Sequence, residues 1–181
     1  MNIALCGFMG AGKTSVGREL SKITGRRFVD TDELAEKKEG MAVSRIFAEK
    51  GENYFRDLEY EVCKSAAELQ NAVISTGGGA MTFERNVAAM KKGAKVVFID
   101  TPFDVICARV GSGATRPLFK NKENAAKLFS ERRGKYLAAA DFVVNGSQSV
   151  KKIALEIVRQ AKAIFCDLFV QLKDEIDKNW L

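Results

Sequence analysis

The 181 residues are 46% apolar and 29% charged with two prolines, too apolar and too weakly charged for a disordered chain and of a length suited to one domain. Every apolar stretch ends well short of the ~20 residues that a membrane span needs, so a soluble protein is expected. The net charge of +6 admits nucleic acid or a small polyanion as partner. The cations lie in scattered pairs without interleaved aromatics, so nucleic acid is not expected.

Residues 2–6 (NIALC) read as a strand closed by Gly7, and 14–23 carry Val16, Leu20 and Ile23 at helical spacing. Further strands are expected at 28–30, 73–76, 95–99 and 142–144. Between them, helices are expected over 33–39, 42–50, 52–69, 84–92, 102–109 and 123–138, with Gly25, Gly40, Gly51 and Gly93 as stops. This alternation predicts an α/β fold with a central five-stranded parallel sheet flanked by helices, as one domain over 1–181. The stretch 111–124 (GSGATRPLFKNKEN) lacks periodicity and reads as a lid or binding loop, or else a plain surface connection. The amphipathic tail from 150 to about 178 reads as a helix packed on the sheet or on a partner.

Met1 leads straight into the first strand with no secretory leader, so the cytoplasm is expected. Cys6, Cys63, Cys107 and Cys166 are far apart and the chain has no His. Neither a zinc site nor a disulfide is expected, and imidazole triads are excluded. Acid or base chemistry falls to carboxylates, lysine or metal-bound water.

Residues 7–14 read GFMGAGKT, a GxxxxGK[ST] phosphate loop set between a strand and a helix as that motif requires. Its glycines let successive N–H groups point inward, and the following helix presents its positive end to the same point. Lys13 can reach the β and γ phosphates while Thr14 offers a hydroxyl to magnesium. Residues 28–33 (FVDTDE) place Asp30 and Asp32 at the end of a strand, on the same side of an extended chain. One would hold metal-bound water and the other an acceptor hydroxyl, unless they merely begin a helix. Gly77, Gly78 and Gly79 end another strand, where a ligand is expected to approach the backbone closely. Asp100 ends a Walker B-like strand but is read as structural.

In this order GFMGAGKT, FVDTD, GENYFRDLE, STGGGA, TRPL and ERRGKY resemble the shikimate kinase family, over about residues 2–160. The resemblance implies a P-loop kinase fold of the nucleoside-monophosphate-kinase type, with a short lid and a helical substrate-binding region at about 31–60. It implies transfer of the ATP γ-phosphoryl group to the 3-hydroxyl of shikimate, giving shikimate 3-phosphate and ADP in aromatic amino acid (chorismate) biosynthesis. The implied ligands are ATP, Mg2+ and shikimate, with no nucleic acid and no membrane, in a monomer or a dimer made through the tail.

By the same likeness Lys13, Asp32 and Arg116 are catalytic. Gly10, Ala11, Gly12, Lys13, Thr14, Ser15, Arg109 and Arg116 bind ATP, with Arg109 on the adenine and Arg116 in the lid. Asp32, Arg56, Gly77, Gly78, Gly79 and Arg132 bind substrate, the glycines through backbone N–H groups and the two arginines through its carboxylate. Thr14 and Asp30 serve the metal, Glu59 fixes Arg56, and Phe47 and Phe55 form an apolar wall. The chain departs from the family at Arg133-Gly134-Lys135, where a proline is common, and in its longer tail. Arg132, four residues before Tyr136, is expected to face the substrate and Arg133 to be solvated. The alternatives are another small-molecule P-loop kinase, such as a gluconate or nucleotide kinase, and a nucleotide-binding regulatory or nucleic-acid-associated module.

Overall fold

Residues 1–111 and 121–163 are described by the computed structural model. Five short strands, β1 (Asn2–Cys6), β2 (Arg27–Asp30), β3 (Ala72–Ser75), β4 (Ala94–Asp100) and β5 (Phe142–Asn145), form one sheet in the order β2-β3-β1-β4-β5. Every pairing is parallel. Strands β1 and β3 are buried along their whole length, which is why NIALC and AVIS read as continuous apolar runs rather than alternating ones.

The two sheet faces are covered by different helices. Ala4, Cys6, Ile74, Val96 and Phe98 point to one side, where they meet α3 (Val43–Ala67), α4 (Glu84–Lys91), α5 (Phe103–Val110) and α6 (Lys122–Ala139). Ile3, Leu5, Val73, Val97 and Ile99 point to the other, against Val16 and Leu20 of α1 (Lys13–Thr24) and Ile153 and Ile157 of the tail helix α7, described over 150–163. The tail therefore begins by packing on its own sheet; its remainder lies outside the described residues. A smaller cluster of Ala35, Ile46, Phe55, Leu58 and Val62 joins α2 (Thr31–Glu39) to α3. Among the described residues no helix is long and apolar enough to cross a membrane.

Gly51, at φ 82° and ψ 172°, breaks α3 where a stop was expected, so 42–50 and 52–69 become two arms of one kinked element. Three local expectations need correction. Asp30 ends β2, but Asp32 lies in the first turn of α2 and not on an extended chain: the Asp30 carboxylate caps that helix by accepting from the Asp32 N–H at 3.0 Å. Helix α6 begins at Lys122, because the Asn121 side chain accepts from the Asn124 N–H, so 122–124 belong to a helix and not to the loop. A 3-10 turn over Ala80–Thr82, unseen in the sequence, follows the triple glycine directly.

Candidate active site

Strands β2, β3 and β1 are neighbours, so the loops at their carboxyl ends converge; this is the edge at which open parallel sheets bind ligands. The phosphate loop is built first from backbone. Gly10 and Gly12 have φ of 82° and 101°, conformations that side-chain-bearing residues rarely adopt, and a Cβ on Gly10 would stand 2.7 Å from Val110 of α5. The curled loop places two carbonyls around the lysine: Lys13 Nζ donates to Gly7 O at 2.8 Å and to Phe8 O at 3.1 Å. Ala11 is buried, and its carbonyl accepts from Thr101 Oγ1 at 3.2 Å and Arg109 Nη1 at 3.3 Å. Arg109 also donates to Gly146 O at 2.8 Å, so it braces the loop against the segment after β5.

A cavity of about 560 Å³ opens beside this loop. Its lining joins Gly10, Gly12, Lys13, Thr14, Ser15 and Arg109 with Asp30, Asp32 and Gly78. Thr14 Oγ1 donates to Asp30 Oδ2 at 3.3 Å, which leaves the hydroxyl lone pairs for another partner. Burial, reinforced by the neighbouring Asp30 carboxylate, pushes the Asp32 carboxyl above its ordinary pKa, while Lys13 works in the opposite direction.

Arg56 lies beyond Asp32, on the second arm of α3. Its Nη1 donates to Glu59 Oε2 at 3.1 Å, as the sequence suggested, and its Nε and Nη2 reach Glu52 Oε1 at 3.2 and 2.9 Å. The guanidinium also lies 4.9 Å from the Phe83 ring centroid and about 5.5 Å from those of Phe47 and Phe55. Glu59 is 4% exposed, and burial raises its pKa against the opposing pull of Arg56.

The triple glycine keeps these side chains close together. A Cβ on Gly77 would fall 2.5 Å from Asp32 Oδ1, and one on Gly79 would fall 3.0 Å from Arg56 Nη1. Not all of its N–H groups face outward: that of Gly77 donates to Thr31 Oγ1 at 2.9 Å, which corrects the expectation that all three are offered to a ligand. From α6, Arg132 Nη1 donates to Gly78 O at 3.4 Å, and the Tyr136 hydroxyl donates to the same carbonyl. Burial pushes the Tyr136 phenol up to about 12, so it remains a donor at neutral pH.

Arg133 is exposed, as expected, but it has a partner that the sequence did not suggest. It turns away from Arg132 and forms a two-bond fork with Asp100, Nε to Oδ1 at 3.0 Å and Nη2 to Oδ2 at 2.5 Å. Asp100, read from the sequence as structural, is held in this pair. Arg116, expected to act from a lid, lies outside the described residues.

Asn86 was missed by the sequence reading. Its side chain, 1% exposed, donates to Glu59 Oε2 at 3.4 Å and Ala80 O at 3.0 Å, linking Arg56's partner to the turn after the glycines. An amide among the apolar positions of α4 was the available signal.

Comparison with known proteins agrees with this geometry. The family model described as Shikimate kinase matches residues 9–162. A shikimate kinase of Aquifex aeolicus is 42% identical over 158 residues, spanning 87% of this chain and 94% of that protein. The solved structure of a shikimate kinase from Acinetobacter baumannii in complex with shikimate superposes with a TM-score of 0.83 at 32% identity, covering 90% of this chain and 93% of the other. A gluconokinase from Sinorhizobium meliloti reaches a TM-score of 0.58 at 16% identity, covering 94% of this chain and 96% of the other, a likeness of fold alone. The chain belongs to the shikimate kinase family, whose members are ATP-dependent kinases that phosphorylate a hydroxyl group of shikimate.

Proposed function

We propose that this chain carries out that transfer by dividing one site between a backbone-built nucleotide side and a side-chain-built acceptor side. The observation that carries this reading is the position of Asp32, which lines the phosphate cavity with Lys13 and also abuts the triple glycine and the Arg56–Glu59 pair. ATP phosphates lie over the loop 10–15, with Lys13 countering charge on the transferring group and Arg109 beside the base. Shikimate lies against Asp32, with its carboxylate between Arg56 and Arg132, its ring by Phe47 and Phe55, and backbone of Gly78 and Gly79 alongside. Asp32 accepts the proton of the 3-hydroxyl as that oxygen bonds to the γ phosphorus and the bond to the β-phosphate oxygen breaks. Arg116, from the lid, closes on the phosphoryl group.

Thr14 and Asp30 fit a magnesium ion that takes few protein ligands. The Thr14 hydroxyl keeps its lone pairs while its hydrogen goes to Asp30, whose carboxylate can hold an ion's water. Bound there with ATP, Mg2+ would draw charge from the phosphate oxygens. The same proposal takes 1–181 as one kinase domain with a substrate region at about 31–60, a lid at about 111–121 and a tail helix at about 150–178. It further takes the enzyme as cytoplasmic, in keeping with the free thiols of Cys6, Cys63 and Cys107, and as a monomer or a dimer made through the tail.

A coupled assay of ADP release with and without shikimate tests the division. ADP release should depend on shikimate and be lost in a folded Asp32→Asn variant. Release that ignores shikimate, or that Asp32→Asn leaves intact, overturns the reading.

A further inference from the structure

Helix α6 carries Arg132 and Tyr136 to Gly78, yet its own sequence loosens it there. Gly134 lies between those two residues, inside the helix, and a Cβ built on it meets nothing within 4 Å. Packing therefore does not require glycine at this position. A glycine inside a helix weakens it, because the unfolded chain gains freedom that alanine would not give. The segment that aims Arg132 would on these grounds be the least stiff part of the helix.

Arg133 supplies the missing restraint. Successive helix residues project about 100° apart, so when Arg132 faces the triple glycine its neighbour faces the end of β4. Its guanidinium meets the Asp100 carboxylate through two nearly parallel bonds, at 3.0 and 2.5 Å. The anchor is held through its backbone: Asp100 ends an interior strand, pairs with Asn145 of β5, and accepts the Gly146 N–H on its carbonyl at 2.9 Å. The next residue, Thr101, donates to Ala11 O of the phosphate loop at 3.2 Å. Isolated surface ion pairs contribute little, but a two-bond fork onto a fixed carboxylate is the geometry in which one does contribute.

We propose that the Arg133–Asp100 fork is a positioning clamp for the acceptor side, tying α6 to the end of β4 beside Gly134 so that Arg132 is held toward the substrate carboxylate. Arg133 touches no reacting atom and acts through Arg132, so the clamp rests on the reading of Arg132 given above. The readout is accordingly selective: the shikimate KM moves while the ATP KM and kcat do not.

Steady-state kinetics with each substrate varied, and thermal melts, would be measured for Arg133→Ala, Arg133→Lys, Asp100→Asn, Arg133→Ala/Asp100→Asn, Arg133→Ala/Gly134→Ala and Arg132→Ala. Arg133→Ala and Asp100→Asn should each raise the shikimate KM about 3- to 10-fold, and their combination no further than the larger single effect, because both remove one interaction. Kinetic constants for ATP should stay within about two-fold, since the clamp acts only through Arg132. Arg133→Lys, a single-point donor, should fall between wild type and Arg133→Ala. Adding Gly134→Ala should return most of the loss by stiffening the helix directly. If Arg132→Ala raises the shikimate KM while Arg133→Ala does not, the clamp is wrong and the role of Arg132 stands. If Arg132→Ala leaves that KM unchanged, the role of Arg132 fails and the clamp with it. If Arg133→Ala lowers the melting temperature and shifts both KM values together, the fork is merely structural and the proposal is overturned.

Discussion

The proposed nucleotide side and the proposed acceptor side of the cavity are built on opposite plans. The nucleotide side comes mainly from one short stretch of chain, residues 7–15, with Arg109 added from α5, and most of its geometry is backbone: glycine conformations, carbonyls around Lys13, and N–H groups at the start of α1. The acceptor side draws Asp32 from α2, Arg56 and Glu59 from α3, Asn86 from α4 and Arg132 with Tyr136 from α6, gathered around three glycines after β3. A local backbone device keeps its form when surrounding side chains change. A constellation assembled from five elements changes with any one of them, so this is the side on which related kinases can diverge in substrate.

Substitutions on the two sides should therefore fail differently. The largest effect is expected for Lys13→Ala, which removes the cation from the cradle: turnover should fall about 10,000-fold, with the fold intact by circular dichroism. Near-normal turnover in a folded variant would break the comparison at its firmest point.

Asp32→Asn sits where the sides meet, and turnover should fall about 1,000-fold for loss of the base. Stability should move the other way. The folded pKa of Asp32 is raised above the ordinary 3.8, so the folded state binds this proton more tightly than the unfolded chain does. Ionised Asp32 thus costs stability at every pH above the folded pKa, and that cost fades as pH falls through it. Thermal melts should show Asp32→Asn stabilised at neutral pH, with the advantage shrinking on acidification; a variant less stable than wild type at neutral pH would count against the buried charge. In wild type, turnover should drop as pH falls through the folded pKa, at a point above the ordinary 3.8, since the base must be ionised.

Arg56→Ala and Arg132→Ala should raise the shikimate KM by roughly thirty-fold or more with little change for ATP, the loss expected when one half of a charge-assisted pair is truncated. Equal effects on both substrates would erase the proposed boundary between the sides. The smallest effect is expected for Gly79→Ala, whose Cβ would lie 3.0 Å from Arg56 Nη1. The guanidinium is the end of a flexible side chain and can shift, so a rise of about three- to ten-fold in shikimate KM should follow, without loss of the fold. An unchanged KM would show that Arg56 needs no fixed position against this turn.

What could be read from the residues in order follows the same division. The five strands, the helices and the phosphate loop were legible because each rests on local signals, namely burial runs, 3.6-residue spacing and glycines before Lys13-Thr14. The break at Gly51 was legible for the same reason. The acceptor residues were named only through ordered motifs resembling a family, since nothing local says that Asp32, Arg56 and Arg132 meet. Tertiary structure alone decided that the Gly77 N–H is taken by Thr31, that Asn86 backs Glu59, and that the exposed Arg133 pairs with Asp100. Each of these joins groups on different elements, and the partner of a polar group is set by which strands lie side by side. Sequence fixes the donors and acceptors that a chain carries; the sheet order determines which of them come within 3 Å or so of each other.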